Sequence, residues 1–436
     1  MKNKTVVVIG FGVSGRSAAA FLLKEGCRVI AVDRKAVEII GDPSNAVWLD
    51  SFFKQEFELF SDEIDFPLKG ISQAILSPGI SQEHPLVQKL LKEKIEVIGE
   101  IALAFRHIQN RCIGITGTNG KTTTVLLIAH ILNKAGKKAR AVGNVGFSLT
   151  SYLMHPDKDE ILIVELSSYQ IETLDSRCLE AAAILNITPN HLDRYPSMAA
   201  YAEAKAKIQG CLQENGKLFI SRQVDKEYKS LLRTANTIIF DLNKSPWESV
   251  ASISRESYIQ MGVPEGENIR AAFAFCAYFG VSEEDFHRGL ETFRKPAHRI
   301  EWVADIAGVS YYNDSKSCNI DSVMHAIGLF NGPIILIVGG VDKGASYSPW
   351  IECFKGKVKK IIAYGQASFK MEQELAAFFP FSRVHTLQEA VEQARTDAQE
   401  RDTVLLSPGG SSFDQFRNYE HRGEEFKRLV KERVNA

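Results

Sequence analysis

The chain has 436 residues, of which 45% are hydrophobic and 24% are charged, and its formal net charge at pH 7 is −1. This composition is typical of a folded globular protein and excludes a disordered or fibrous chain, and the length predicts two or three domains. The near-zero net charge argues against broad nucleic-acid binding, which requires a basic surface.

The first predicted strand, Thr5–Ile9, ends at a glycine-rich turn, residues 10–15, which has the pattern Gly-x-Gly-x-x-Gly and opens a predicted helix. A second apolar strand, Arg28–Val32, ends at Asp33, where an acidic side chain can contact a ribose. This pattern alone is typical of an NAD-dependent oxidoreductase. The same glycine geometry also receives any diphosphate, including that of a UDP-sugar. Because the first domain is short and a phosphate loop follows it, we favour a nucleotide-diphosphate site without hydride chemistry.

The next apolar run, residues 112–115, leads into the loop Gly117-Thr118-Asn119-Gly120-Lys121-Thr122-Thr123 and a predicted helix over residues 125–132. Glycines let backbone N–H groups face a phosphate, the lysine reaches the outer phosphates, and the first threonine can hold Mg²⁺. The strict P-loop pattern requires glycine where this chain has Ile115, so the motif is a variant. The alternative is a glycine-rich turn without a ligand, but the Gly-Lys-Thr-Thr sequence favours a nucleotide triphosphate.

Two more predicted strands follow the phosphate loop. Residues 160–165 end in Glu165, whose carboxylate, together with phosphates and the threonine hydroxyl, forms a reasonable Mg²⁺ site. The alternative for this glutamate is an ion pair with a surface cation. Residues 183–188 are predicted as the next strand and lead to His191. A lone histidine is more often structural than functional, so His191 alone indicates no activity.

A third apolar run, residues 333–338, ends in Gly339-Gly340 and again precedes a helix-compatible stretch. Strands that alternate with helices imply parallel sheets, so the three glycine-ended runs predict three α/β domains in series. We predict their boundaries at residues 1–96, 97–296 and 297–436. Neither linker is long, so we expect the domains to meet around a shared cleft.

Five motifs occur in the order that the Mur ligase superfamily uses, and this resemblance covers essentially the whole chain. They are the loop 117–123, Glu165-Leu-Ser-Ser-Tyr-Gln170, the stretch 186–195, His298-Arg299, and Asn313-Asp-Ser-Lys316. The carboxy-terminal stretch, residues 406–426, resembles that of the D-glutamate-adding members, and the Asp-Asn-Pro-Arg-type motif of the diaminopimelate-adding members is absent from the sequence.

The resemblance implies an α/β fold with a Rossmann-like UDP-binding head, a central P-loop ATPase-type parallel sheet, and a C-terminal Rossmann-like α/β domain that binds the amino acid. It implies an ATP-dependent ligase that uses Mg²⁺ and adds D-glutamate to UDP-N-acetylmuramoyl-L-alanine through an acyl phosphate, in peptidoglycan precursor synthesis. A folylpolyglutamate-synthetase-like ligase, a non-catalytic nucleotide switch and the oxidoreductase are the alternatives.

The resemblance also implies a role for individual residues. The expected contacts of the UDP-linked substrate are Ser14, Gly15, Arg16, Asp33, Arg34, Ser77, Gly79 and Asn144. The expected ATP contacts are Gly117, Thr118, Asn119, Gly120, Lys121, Thr122, Thr123, Asn268, Arg299 and Asp314. The expected metal ligands are Thr122, Glu165, His191 and Lys205, the last as a carbamate, and the expected catalytic group is Lys121, His191, Lys205 and Lys316. The expected D-glutamate contacts are Cys318, where relatives are expected to have threonine, with Lys343, Ser412 and Tyr419.

The seven cysteines are scattered and form no C-x-x-C pair, which argues against a disulfide framework or a zinc site and favours a reducing compartment. The first ten residues show no signal peptide, and no apolar run is long enough to span a membrane. We therefore expect a cytoplasmic protein without membrane insertion, and we expect it to be a monomer.

Overall fold

The computed structural model describes residues 2–61, 68–191, 194–234, 236–240 and 266–432. Within these ranges, three sheets with helices around them follow one another along the chain, which confirms the predicted α/β class. We call the three parts the head, the central domain and the third domain. Among the described helices, each is too short or too polar to cross a membrane.

The head contains a parallel sheet whose described strands have the order β3-β2-β1-β4-β5. Its strands are β1 (Thr5–Ile9), β2 (Arg28–Val32), β3 (Phe57–Phe60), β4 (Ile71–Leu76) and β5 (Glu96–Gly99). Its helices are α1 (Val13–Lys24), α2 (Ala36–Gly41), α3 (Ala46–Phe53), α4 (Pro85–Lys92) and α5 (Glu100–Phe105), with a 3-10 turn at Pro43–Asn45. The strand order reverses beside β1, so the glycine-rich turn that follows β1 lies at the point where open α/β sheets bind ligands.

The central domain contains a second parallel sheet with the order β11-β10-β9-β6-β8-β7 among its described strands. Its strands are β6 (Cys112–Thr116), β7 (Ala139–Gly143), β8 (Ile161–Glu165), β9 (Leu179–Ile184), β10 (Leu212–Ile220) and β11 (Thr237–Ile239). Its helices are α6 (Lys121–Lys134), α7 (Leu149–Tyr152), α8 (Ser168–Glu172), α9 (Met198–Ala206), α10 (Arg222–Tyr228), α11 (Gly266–Tyr278) and α12 (Glu283–Thr292), with 3-10 turns at Lys207–Cys211 and Lys229–Leu231.

The prediction of a strand over residues 183–188 was wrong at its carboxyl end. The observed strand ends at Ile184, which pairs with Thr116 at the end of β6. After Thr116 the chain leaves strand β6 and enters the phosphate loop, so no neighbouring strand of the described sheet continues on this side. The backbone of residues 186–188 therefore makes hydrogen bonds to that loop instead of extending the sheet.

The third domain contains a mixed sheet with the order β12-β13-β17-β14-β15-β16 among its described strands. Its strands are β12 (Glu301–Ile306), β13 (Val309–Asn313), β14 (Ile334–Gly339), β15 (Val358–Tyr364), β16 (Phe381–Arg383) and β17 (Thr403–Gly409). Its helices are α13 (Ile320–Leu329), α14 (Pro349–Phe354), α15 (Ser368–Leu375), α16 (Leu387–Asp397) and α17 (Tyr419–Lys431). Only β12 is antiparallel within the described sheet, because Ala307 and Gly308, with φ of 50° and 76°, form a two-residue hairpin turn between β12 and β13.

Burial explains why these segments form the sheets. In β1, β8 and β14 every residue from the second onward is buried, and such continuous apolar runs are typical of strands with helices on both faces. One apolar cluster contains buried residues of both the head and the central domain, including Val8 of β1 and Val164 of β8. The carboxyl ends of β6, β8 and β13 meet at a cleft between the central and third domains.

Candidate active site

The phosphate loop joins the end of β6 to the start of α6. Gly117 and Gly120 have φ of 152° and 82°, which is the region that favours glycine. A Cβ atom on Gly120 would also lie only 2.2 Å from the side-chain oxygen of Asn268 in α11. A larger residue at position 120 would be strained by the backbone conformation and would displace the Asn268 side chain.

The segment after β9 holds this loop in place. The backbone N–H of Asn119 donates to Asn186 Oδ1 at 2.8 Å, and Asn186 Nδ2 donates to Asn119 O at 3.2 Å. The Thr188 N–H donates to Thr118 Oγ1 at 3.0 Å. Because the protein's own hydrogen bonds hold the loop, little backbone ordering is required when a phosphate enters. The brace was missed from the sequence, where residues 186–188 look like part of a strand.

Two lysines, the half-buried Lys121 and the buried Lys205, converge on one backbone carbonyl of the loop. Lys121 Nζ donates to Gly117 O at 2.8 Å and to Thr118 O at 2.9 Å, and Lys205 Nζ donates to Gly117 O at 2.9 Å. Burial lowers the pKa of Lys121 to about 8, although the charge of Glu165 opposes this shift. Burial also lowers the pKa of Lys205 well below its ordinary value, and the nearby charge of Lys121 adds to that effect.

Glu165, at the end of β8, is 2% exposed, and only one of its two carboxylate oxygens has a hydrogen bond. Asn144 Nδ2 donates to Oε1 at 2.8 Å, whereas Oε2 is buried without a hydrogen-bond donor in the described part of the chain. A buried carboxylate oxygen in this state is expected to have a cation or another donor as its partner. Glu165 also lines the same cavity as Thr122 of the phosphate loop.

His191 lies at the same cavity with φ of 57°. Burial lowers its pKa to about 3, and the charges of Lys343 and Lys205 lower it further. Its imidazole is therefore neutral at pH 7, which is the form that binds a metal. No group of three or more His, Cys, Asp or Glu side chains with metal-binding geometry occurs among the described residues. The donors that are present, a carboxylate oxygen, a hydroxyl and a neutral imidazole, fit a Mg²⁺ ion that also keeps water and phosphate ligands.

The cavity between the central and third domains has a volume of about 510 Å³. Many of the site residues predicted from the sequence line this cavity. They are Thr118, Asn119, Gly120, Lys121, Thr122, Thr123, Asn144, Glu165, His191, Asn268, Arg299, Asp314, Lys316, Cys318 and Lys343. Gly117 O accepts hydrogen bonds both from Lys121, which belongs to this set, and from Lys205. Ser412 and Tyr419 do not line the cavity. Asn144, expected at the UDP-linked substrate, lines this cavity and donates a hydrogen bond to Glu165.

The third domain contributes a buried carboxylate and a lysine to the cavity. Asp314 accepts hydrogen bonds from the Ile300 N–H at 3.2 Å and from Ser407 Oγ at 2.9 Å, and burial raises its pKa to about 6. Lys316 Nζ lies 3.6 Å from the ring centroid of Tyr419, and burial lowers the pKa of this lysine. Tyr419 therefore influences the cavity through Lys316.

Arg422 and Asn319 were missed in the sequence. Arg422 is completely buried and donates to Ser315 O at 2.7 Å and to Gly410 O at 3.1 Å, and its Nη2 contacts Cys318 Sγ at 3.4 Å. Asn319 Nδ2 donates to Asn119 Oδ1 at 3.2 Å, which joins the third domain to the phosphate loop. Arg422 lies inside the stretch 406–426 and Asn319 follows the motif 313–316, but side-chain contacts between distant segments leave no local pattern in the sequence.

The predicted UDP residues of the head lie around the turn after β1. Asp33 Oδ2 accepts a hydrogen bond from the Phe11 N–H at 2.6 Å, and Oδ1 accepts one from the Lys35 N–H at 2.8 Å. Ser77 Oγ donates to Gly10 O at 2.7 Å. Both side chains therefore shape the glycine-rich turn. The other members of this group on the head are Ser14, Gly15, Arg16, Arg34 and Gly79, and the cavity lining includes none of them.

Comparison with known families and proteins gives matches along most of the chain. Residues 4–99 match the MurD-like N-terminal domain of Mur ligases, residues 115–279 match the Mur ligase middle domain, and residues 298–410 match the glutamate ligase domain of Mur ligases. A UDP-N-acetylmuramoylalanine--D-glutamate ligase from Protochlamydia amoebophila is 44% identical over 98% of this chain and 98% of its own length. The enzyme of the same name from Caldicellulosiruptor bescii is 36% identical over 99% of this chain and 98% of its own length.

Solved structures share the three-domain fold at low sequence identity. The UDP-N-acetylmuramate-alanine ligase MurC from Thermotoga maritima has a TM-score of 0.61 and 14% identity, over 99% of this chain and all of that one. The MurF ligase from the same organism, solved in complex with ADP, has a TM-score of 0.59 and 15% identity, over 99% of this chain and 96% of that one.

Proposed function

The chain belongs to the Mur ligase family, and from this premise we propose that it joins D-glutamate to UDP-N-acetylmuramoyl-L-alanine in peptidoglycan precursor synthesis. It is an ATP-dependent ligase of that family. The observation that carries the proposal is the shared cavity, in which the phosphate loop faces lysines of the third domain. This arrangement supports a reaction between a nucleotide phosphate and groups held by a second domain. Because ATP and the nucleotide-linked substrate are cytoplasmic compounds, we propose a cytoplasmic site of action.

A carboxylate and an amine do not condense unaided in water, so the acid has to be activated first. In the proposed first step, a carboxylate oxygen of the UDP-linked substrate attacks the γ-phosphorus of ATP, and the bond from that phosphorus to the β,γ-bridging oxygen breaks. The products are an acyl phosphate and ADP. Lys121 and the backbone N–H groups of the phosphate loop stabilise the charge on the transferring group. We propose that Asn268, Arg299 and Asp314, which line the same cavity, bind the rest of ATP.

We propose that Mg²⁺ is held by Glu165, His191 and Thr122. Lys205 is a further proposed ligand when it is carbamylated. The free, buried Oε2 atom of Glu165 supports this assignment. Mg²⁺ in this position supplies Lewis-acid stabilisation of phosphate charge. Carbamylation requires the neutral amine, and the burial that lowers the pKa of Lys205 favours that form.

In the proposed second step, the neutral amine of D-glutamate attacks the acyl carbon, and the tetrahedral intermediate expels inorganic phosphate as the amide forms. The proposed contacts for the amino acid are Lys343, Cys318, Ser412 and Tyr419. Lys316, which the Tyr419 ring supports, lies at the cavity where the phosphate departs. The lysines attract the carboxylates of D-glutamate. Cys318 provides a weaker hydrogen-bond donor than the threonine expected in relatives.

A folylpolyglutamate-synthetase-like activity and an NAD-dependent oxidoreductase are not favoured. Relatives that align with the whole chain, including its head, have the name of the D-glutamate ligase. The cavity at the phosphate loop also provides paired lysines and a carboxylate, which hydride transfer does not require.

The proposal is tested by ADP release with UDP-N-acetylmuramoyl-L-alanine and a panel of D- and L-amino acids, together with the mass of the product. D-glutamate should stimulate ADP release, and the product mass should equal that of the two substrates joined with loss of water. Stimulation by L-glutamate alone, or an unchanged substrate mass after ADP release, would contradict the proposed reaction.

A further inference from the structure

Arg16 lies in the first turn of α1, directly after the glycine-rich turn of the head. Its guanidinium carbon is 4.9 Å from the ring centroid of Trp48 in α3. Over the ranges that the structure describes, this guanidinium makes no hydrogen bond and no ion pair. Arginine has five N–H donors in a fixed plane, and they ordinarily bind carboxylate, carbonyl or phosphate oxygens. The donors of Arg16 are therefore available to a ligand.

Trp48 is fixed on its other sides. Its indole N–H donates to Asn45 Oδ1 at 3.1 Å, and Asn45 Nδ2 donates to Ile39 O at 3.0 Å. Its ring centroid lies 6.0 Å from that of the buried Phe11 and 5.9 Å from that of the buried Phe52. Because one edge is hydrogen-bonded and the ring packs against two others, Trp48 forms a rigid surface beneath the arginine.

A guanidinium that lies over an aromatic ring keeps its N–H donors in its own plane, where an anion can still reach them. A long, unsupported arginine samples many rotamers, and ordering it on binding reduces affinity. The glycine-rich turn and the N-terminus of α1 favour a phosphate beside this side chain. We infer that Trp48 is a positioning residue, which holds Arg16 so that its N–H donors bind the diphosphate of the UDP-linked substrate. The inference rests on the proposed function for the identity of that substrate.

The direct test is a double-mutant cycle on the full chain, with the Kd of UDP measured by calorimetry without ATP. Arg16→Met should weaken UDP binding about tenfold or more, because a charged hydrogen bond to phosphate is lost. Trp48→Leu should weaken it about threefold to tenfold. Since Trp48 acts through Arg16, adding Trp48→Leu to Arg16→Met should cause no further loss. An equal loss from Trp48→Leu in both backgrounds, or no loss in either, would overturn the inference.

Two additional comparisons separate positioning from packing. Uridine has no phosphate, so Arg16→Met should leave its Kd unchanged, and an equal loss for uridine and UDP would contradict the contact with the diphosphate. Trp48→Phe keeps a ring in the aromatic cluster and should give a smaller loss of the same kind. It replaces Trp48→Leu in the cycle if thermal unfolding shows that the leucine variant does not fold.

Tryptophan fluorescence provides a spectroscopic measurement at the same site. UDP should change the emission of the wild-type chain and of Trp302→Phe, a control in the third domain, but not that of Trp48→Phe. A full change in Trp48→Phe would count against the inference.

If UDP binding shows the expected cycle but D-glutamate stimulates no ADP release, the proposed function fails and the inference stands. If ADP release is normal and the Trp48 variants bind UDP like the wild type, only the inference fails.

Discussion

The head and the central domain contain the same local structure, a buried parallel strand, a glycine-rich turn and a helix, but different side chains surround the two turns. In the head, Asp33 and Ser77 bind the backbone of the turn, and the nearby Arg16 lies over Trp48. In the central domain, Lys121 and Lys205 converge on the loop beside the buried Glu165. In the proposed function, the strand–turn–helix geometry that the two turns share binds phosphate, and the charged side chains beside the central turn distinguish it as the place of phosphoryl transfer.

Lys121→Ala tests this difference most strongly. The substitution should lower the rate of ADP release about 1000-fold, because the developing phosphate charge loses a nearby cation, while UDP binding at the head stays near normal. Lys134→Ala, at the exposed last turn of the same helix, is the matched control. Loss of UDP binding together with ADP release would mean that the two turns do not act separately.

Glu165→Gln sharpens the role of the buried carboxylate. Glutamine keeps the size of the side chain and its acceptor for Asn144 but removes the charge from the free oxygen. We expect ADP release to fall about 100-fold and the Mg²⁺ concentration for half-maximal activity to rise. Glu160→Gln, before the start of strand β8, removes only an ion pair with Arg140 and should behave like the wild type. An unchanged Mg²⁺ dependence in Glu165→Gln would remove this residue from the metal site.

Lys205→Ala tests whether the buried lysine at the phosphate loop contributes a carboxylate when it is carbamylated. Activity should fall about 10- to 100-fold, as for residues that support a metal site, and added short-chain carboxylic acids should restore part of it. Lys207→Ala, an exposed neighbour, is the control. Full activity of Lys205→Ala without any effect of the acids would exclude carbamylation as a requirement.

The smallest expected effect concerns the joint, by which we mean the contact of Glu100 and Thr150 between the head and the central domain. Glu100 Oε1 accepts hydrogen bonds from the backbone N–H of Thr150 at 2.8 Å and from its hydroxyl at 2.6 Å, and that hydroxyl lies 2.6 Å from Ser17 Oγ of the head. Burial raises the pKa of Glu100, although the Thr150 hydrogen bonds oppose the shift. A carboxyl with a raised folded pKa stabilises the fold below the unfolded pKa of about 4.3, and this stabilisation is lost as the pH rises through the folded pKa.

Glu100→Gln cannot titrate, so its Tm should increase relative to the wild type as the pH rises above about 4.3. Thermal unfolding at a series of pH values measures this difference in Tm, which we expect to reach a few degrees. A difference in Tm that is the same at every pH would show that ionisation of Glu100 does not affect the joint.

The sequence predicts the local parts of this structure well and the long-range contacts poorly. The strands Thr5–Ile9 and Arg28–Val32 were predicted from their apolar runs, and the residues of the phosphate loop were recognised because their spacing is local. The prediction that the strand continues after Ile184 was wrong, because the backbone N–H of Thr188 donates to Thr118 of the phosphate loop, 70 residues away along the chain. The buried Arg422 was missed for the same reason, since its acceptor Ser315 is distant in sequence.

The central claim, that this chain activates a carboxylate by phosphoryl transfer at the central phosphate loop, is tested most directly with isotope transfer. UDP-N-acetylmuramoyl-L-alanine that contains ¹⁸O in both carboxylate oxygens is incubated with the enzyme, ATP and D-glutamate, and the released phosphate is analysed by mass spectrometry. One oxygen of the carboxylate becomes the bridge of the acyl phosphate and leaves with phosphorus, so we expect one ¹⁸O atom in each released phosphate. Amide product accompanied by unlabelled phosphate would contradict it.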